Sequence, residues 1–135
     1  MTDVGASIQL IRETLRAQTA LAGVAVEPVV LENVPGGISI RYVTGTDQET
    51  NGADRVISSL VFQVVLSVPN NNPLTEAIVA QGKAIDALQG AKGSNTDGTV
   101  YLIRRQQPIY YAQRDPNGQV WQYIGGQYEV LVRGG

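Results

Sequence analysis

The chain has 135 residues, 43% of them hydrophobic, with ten basic and twelve acidic side chains giving a net charge of −2. That length suits one domain, burying roughly two-thirds of its unfolded surface, and the near balance of charge disfavours a role built on phosphate neutralisation. The chain has no cysteine and no histidine, which excludes disulfides, thiol nucleophiles, thiolate metal sites and the side chain that most often moves protons or binds zinc.

Met1-Thr2-Asp3-Val4-Gly5 lacks the basic-then-apolar order of a secretory signal, so the chain reads as cytosolic when made. No apolar run approaches the ~20 residues that span a bilayer, and no membrane partner is expected. Asp3 to Ala22 predicts a helix: Ile8, Ile11, Leu15 and Ala22 form one stripe, widened by Leu10, Ala17 and Leu21, and Gly23 fits the stop. Val24 to Leu31 predicts a strand, and Pro28 within it argues for an edge. After the turn Glu32 to Gly37, Ile38 to Val43 predicts a second, short strand. Thr44 to Asp54 reads as a long, polar, mobile loop carrying Asp47, Glu49 and Asp54.

Val56 to Val68 is the strongest signal in the chain. Val56, Leu60, Phe62, Val64, Leu66 and Val68 recur at period two, while Ile57, Val61 and Val65 share the other side with Ser59, Gln63 and Ser67. Such a pattern predicts a strand buried fully on one face and partly on the other. Pro69 to Pro73 stops it, and Leu74, Ile78, Gln81, Ile85 and Leu88 recur at helical spacing up to Gly90, a left-handed stop. Ala91 to Gly98 reads as a second mobile loop, containing Lys92 and Asp97. Thr99 to Arg104 predicts a strand, and Pro108 introduces Ile109 to Arg114. Asp115-Pro116-Asn117-Gly118 is a strong turn signal, and Gln119 to Arg133 is the return strand, with Gly125-Gly126 marking a bulge or bend. The expected fold is α+β, a single domain over 1–135 in the order α-β-β-β-α-β-β-β, its mixed or antiparallel sheet packed by two helices.

Catalytic signatures are absent from the sequence: it holds no nucleophile elbow, zinc-protease motif, phosphate loop or dinucleotide fingerprint. A serine nucleophile would have only lysine or a carboxylate as base, and the acids Asp47, Glu49 and Asp54 read more simply as a solvated surface. Asp47-x-Glu49-x-Asn51-Gly52 imitates the first half of a calcium loop, but Ser58 stands where the closing glutamate belongs. No enzyme activity, metal or cofactor is expected. Arg104, Arg105 and Arg114 lie near Tyr101, Tyr110, Tyr111, Trp121 and Tyr123. That mix can stack bases, but it is also what protein interfaces enrich, and a protein interface is the preferred reading.

The helix Leu74 to Leu88, ending aliphatic-Asp86-Ala87-Leu88, is followed by a polar glycine-containing loop, a strand with arginines, and Trp121-Gln122-Tyr123-Ile124-Gly125-Gly126-Gln127-Tyr128-Glu129-Val130. Over about residues 56–132 this resembles the tail-terminator, or tail-completion, proteins of long-tailed bacteriophages and related phage-like particles. The resemblance implies a non-enzymatic virion protein, assembled in the host cytoplasm and placed at the head–tail junction. There it would form a sixfold ring of its own copies on the last ring of tail-tube protein, end tube growth and present a surface to the head connector, with DNA only as passing cargo. No catalytic residue carries over. The regions it marks as partner-facing contain Thr44, Asp47, Glu49, Asp54, Lys92, Asp97, Arg104, Arg105, Tyr110, Tyr111, Arg114, Trp121 and Tyr123. If the acidic loop faced the lumen, its carboxylates would repel passing phosphates. Two alternatives stay open: a head-completion or neck adaptor, and a small ligand-binding α+β domain with a pocket lined by Tyr101, Tyr110 and Trp121.

Overall fold

The computed structural model describes residues 2–21, 26–27, 37–49, 56–69 and 82–134. Helix α1 spans Thr2–Arg16, and a 3-10 turn follows at Thr19–Leu21. The strands are β1 (Val26–Glu27), β2 (Gly37–Glu49), β3 (Val56–Pro69), β4 (Gly93–Asn95), β5 (Gly98–Arg114) and β6 (Val120–Gly134). They form one six-stranded sheet in the order β1-β2-β3-β6-β5-β4, antiparallel throughout except for the short parallel pair β1–β2.

This corrects the expected α+β arrangement of a sheet packed by two helices. Among the described residues α1 is the only helix of more than one turn, and the sheet dominates. Most of the predicted second helix falls outside the described residues. Its described end is a single helical turn at residues 82–84, which tightens into a 3-10 turn at Ile85–Leu88 and puts Ile85 and Leu88 into the core. The apolar spacing there was real, but two buried contacts need only one turn of chain. Gly90 does take the left-handed conformation, with φ at 81°.

The first helix is also shorter than its stripe. Ala17 makes the last α-type bond, to the Glu13 carbonyl, and the Gln18 and Leu21 amides switch to 3-10 partners at Leu15 and Gln18. The tighter winding keeps Leu21 buried while leaving Ala17 exposed. Ala6, Ile11 and Leu15 of α1 lie on Leu60, Phe62, Val64, Val100, Ile103, Tyr128 and Val130, which form one face of the sheet.

Three predicted loops or breaks belong to the sheet instead. Residues 44–49, expected in a mobile loop, extend β2 and pair with β3 from Thr44↔Val61 to Glu49↔Val56. Val43 is the extra residue of a bulge there, which restores register after Tyr42↔Phe62. Asp54 lies outside the described residues. The loop expected at 91–98 contains β4, a tight return onto β5 that is held to α1 because Asn95 Nδ2 donates to the Ala6 carbonyl at 3.0 Å. The two strands expected around Pro108 are one strand, β5. Its bulges fall at Tyr101 and Gln106.

Gly125-Gly126 is not a bulge, because β3 and β6 pair without a register shift from Ser58↔Val132 to Pro69↔Trp121. The need for glycine is steric: a Cβ on Gly125 would run into the Val64 carbonyl, and one on Gly126 would sit 3.0 Å from the Tyr128 ring. Gly125→Ala should therefore push the two central strands apart and cost about 1–3 kcal/mol, read as a lower denaturation midpoint at unchanged m-value. On the same strand pair, Phe62→Ala should cost about 3–5 kcal/mol from lost burial plus a cavity. Unchanged denaturation curves for these two variants would put β3 and β6 elsewhere.

Candidate partner interface

The β5–β6 hairpin is the longest feature of the molecule. At about 3.3 Å per residue, the ends of β5 lie up to roughly 50 Å apart. Its tip is the turn Asp115–Gly118, whose chemistry follows the sequence signal. Asp115 Oδ1 accepts the amides of Asn117 and Gln119, both at 2.9 Å, while the Asp115 amide donates to the Gln119 carbonyl at 2.8 Å. Gly118 supplies the positive φ of 84° that closes it. Trp121 Nε1 donates to Asp115 Oδ2 at 3.0 Å, so one carboxylate organises both the turn and the only tryptophan. The Trp121 hydrogen bond, followed by the two amides, holds the Asp115 carboxyl below its usual range. Two residues further in, Tyr111 and Tyr123 face each other across the strands and stack, with centroids 4.7 Å apart and planes 14° from parallel. Burial, then the neighbouring Tyr111, raises the Tyr123 phenol.

The root of the hairpin is tied down by two ion pairs. Arg105 Nη1 donates to both carboxylate oxygens of Asp86 at 2.8 Å, and the Tyr128 hydroxyl donates to Asp86 Oδ1 at 3.0 Å. The hydrogen bond to Asp86 raises the Arg105 pKa, and burial, reinforced by Asp86, drives the Tyr128 phenol well above its usual range. On the other face, Arg104 Nη2 lies 2.6 Å from Glu129 Oε1, and Ser59 Oγ donates to Glu129 Oε2 at 3.2 Å. Gln127 Nε2 donates to Gln106 Oε1 at 2.9 Å and so holds the bulge.

The candidate residues therefore divide into separate groups. Tyr110, Tyr111, Arg114, Trp121 and Tyr123 sit along the distal hairpin. Arg104 and Arg105 stand at mid-sheet, each committed to an internal carboxylate. Lys92 is exposed beside β4 and Asp97 lies next to Gly5 near the start of α1, both at the far end of β5 from Arg114. Thr44, Asp47 and Glu49 belong to β2. The proposed aromatic pocket fails on parity: Tyr110 pairs with Ile124 and Trp121 with Gln113, which places them on opposite faces of the ladder. Sequence reasoning missed Asp86, Glu129 and Asp115 as organisers. Only Asp115, as the first residue of the Asp115-Pro116-Asn117-Gly118 turn, carried a local signal. Among the described residues no three acids gather as a metal site, and Asp47 and Glu49 pair in a strand rather than shaping a calcium loop. No described helix is long and apolar enough to cross a membrane.

The sequence matches no protein-family model and no curated protein. A chain in the solved virion of a native gene transfer agent particle superposes with a TM-score of 0.59 at 20% identity, over 96% of this chain and 96% of that one. The two share a fold.

Asp115 also gives the hairpin tip a defined response to acid. Its folded pKa lies below the ordinary value of 3.8, so the charged form is favoured above that pH, and the preference is lost as pH falls through the depressed value. Trp121 emission should shift below about pH 3.8, while far-UV circular dichroism stays constant, and Asp115→Asn should remove that step. Identical titrations for the two proteins would detach Trp121 from the turn.

Proposed function

We propose that this chain is a structural virion protein of a phage-like particle and that it acts there as the tail terminator: a ring of identical copies that seats on the end of the tail tube, stops its growth and offers the joining surface to the head. The carrying observation is the fold likeness to a chain of the gene transfer agent virion, which runs nearly end to end in both chains. The terminator role draws on the resemblance over residues 56–132, above all the closing strand Trp121 to Val130. The job is one of shape rather than bond-making, consistent with a chain that has no histidine or cysteine.

Ring formation by a single chain type needs two different surfaces per copy, so that each contact is heterologous and the rotation closes. Each such contact needs roughly 800 Å² per partner, which a sheet edge and a long hairpin can supply. Native mass spectrometry and negative-stain electron microscopy, with the protein alone and with the tail-tube protein of the same particle, test this directly. The expected outcome is a closed ring that caps tube ends and halts their elongation. A protein that remains a lone subunit and leaves tubes growing overturns the proposal, and a ring that binds connector but ignores tube favours a neck adaptor.

A further inference from the structure

Three consecutive amides close the hairpin tip on one residue. The Asn117 and Gln119 amides donate to Asp115 Oδ1, each at 2.9 Å, and between them the Gly118 amide donates to the Asp115 carbonyl at 3.0 Å. The Asp115 amide returns to the Gln119 carbonyl, and Gly118 has a φ of 84°. Pro116 to Gly118 are therefore a three-residue hairpin loop, a type I turn followed by a left-handed glycine. Asn117 is the second corner of that turn, where ψ lies at about 0°.

The same two residues are a reactive pair. The side-chain carbonyl carbon of an asparagine can close a five-membered ring with the nitrogen of the next residue, and a following glycine has no Cβ to obstruct the approach. Both Asn117 and Gly118 are exposed, and a Cβ built on Gly118 would meet nothing within 4 Å, so neither burial nor bulk guards the bond. Asn95, the other described asparagine, is held differently. Thr96 follows it, its Nδ2 donates to the Ala6 carbonyl and its Oδ1 accepts the Asp97 amide, both at 3.0 Å.

Hydrogen bonding is what restrains Asn117. Ring closure needs the Gly118 nitrogen free of its proton, and the peptide plane turned until that nitrogen eclipses the Asn117 Cβ. The bond from Gly118 to the Asp115 carbonyl retains the proton and keeps the plane turned away. Reaction therefore proceeds only from the fraction of molecules in which the tip has opened.

We infer that Asn117 is a deamidation site held shut by Asp115. Once the turn opens, the Gly118 nitrogen attacks Asn117 Cγ. A new C–N bond forms, the bond to the side-chain nitrogen breaks, and that nitrogen leaves as ammonia carrying the displaced proton. Water then opens the cyclic imide at one carbonyl or the other, leaving aspartate or isoaspartate at position 117, with no oxidant or reductant consumed. Either product places a second carboxylate beside Asp115. Isoaspartate also adds one carbon to the backbone between the 117 and 118 amides, so the three donors no longer converge on Asp115. Trp121 Nε1, which donates to the other oxygen of that carboxylate at 3.0 Å, then loses its fixed partner. The change runs one way and is confined to the exposed end of the hairpin. It rests on the turn alone and is independent of the ring reading.

The test holds the purified full chain at mildly alkaline pH, folded in buffer and unfolded in guanidinium chloride, beside folded Asp115→Ala. Tryptic peptides are then mass-mapped over time. The peptide Asp115 to Arg133 has Asn117 as its only asparagine, which separates this site from Asn51-Gly52, the other such pair in the sequence. The expected result is conversion at Asn117 in the unfolded chain and conversion at least about tenfold slower in the folded one. Asp115→Ala should recover most of that difference at unchanged circular dichroism. A folded chain that converts as fast as the unfolded one overturns the gating, and this wild-type comparison stands by itself if the variant does not fold. A folded Asp115→Ala that converts no faster than wild type overturns the part given to Asp115. An unfolded chain that stays intact at Asn117 overturns the site itself.

Discussion

The unbroken ladder between β3 and β6 is the constraint on which the other elements depend. β3 and β6 are the strands with long partners on both sides; α1 and the 3-10 turn lie nearest β5 and β6, and the core face of β3, Leu60 through Leu66, completes the same apolar cluster. Because a single-residue slip would exchange the buried and open faces of every strand outward from it, this register has to be fixed first. Gly125 helps to fix it by admitting the Val64 carbonyl at a distance no side chain would tolerate. Bulges are excluded from this central pair and appear only in β2 and β5, one strand further out. Irregularity is thus confined to the strands whose outer sides are free to accommodate it.

A second layer of control joins the hairpin to the helical side of the molecule. Asp86 accepts from Arg105 and from Tyr128, so the 3-10 turn, β5 and β6 converge on one carboxylate. The Arg105–Asp86 pair is half-exposed and on its own contributes little to stability. The Tyr128 hydroxyl matters more, because its ring is fully buried and an unpaired phenol there would carry a desolvation cost. Side chains thus fasten the hairpin at its root and, through Asp115, at its tip, and the stacked tyrosines add to the backbone ladder between them.

Much of this was legible in the residues, and the misses have physical causes. β3 was readable because one pattern filled both of its faces, and the turn at Asp115–Gly118 because its chemistry is local. Residues 44–49 read as loop because polar residues on an outer strand carry no apolar period, yet pairing with β3 needs only backbone. Lys92 to Asp97 misread for the same reason, since a three-residue return strand is too short to show alternation. Alternation across β5 is broken twice, by Tyr101 and Gln106, so no single period could assign Tyr110 and Tyr111 to their faces. Among the candidate interface residues, Arg104 and Arg105 looked like free cations because Glu129 and Asp86 are distant in sequence and adjacent only once the sheet is built.

The bulge at Gln106 follows the last described bond on the outer side of β5, from the Arg105 amide to Gln89 Oε1, and an extra residue there raises the local twist and bends the strand. β6 stays paired with β3 as far as Pro69↔Trp121, so the outer half of β5 is carried by the sheet and the bulge sets the phase and twist of that strand alone. Losing that one residue would slip Gln107 to Arg114 against β6 and exchange the faces on which Tyr110 and Tyr111 stand. One residue outside the core thus decides which tyrosine the outer strand shows to each side.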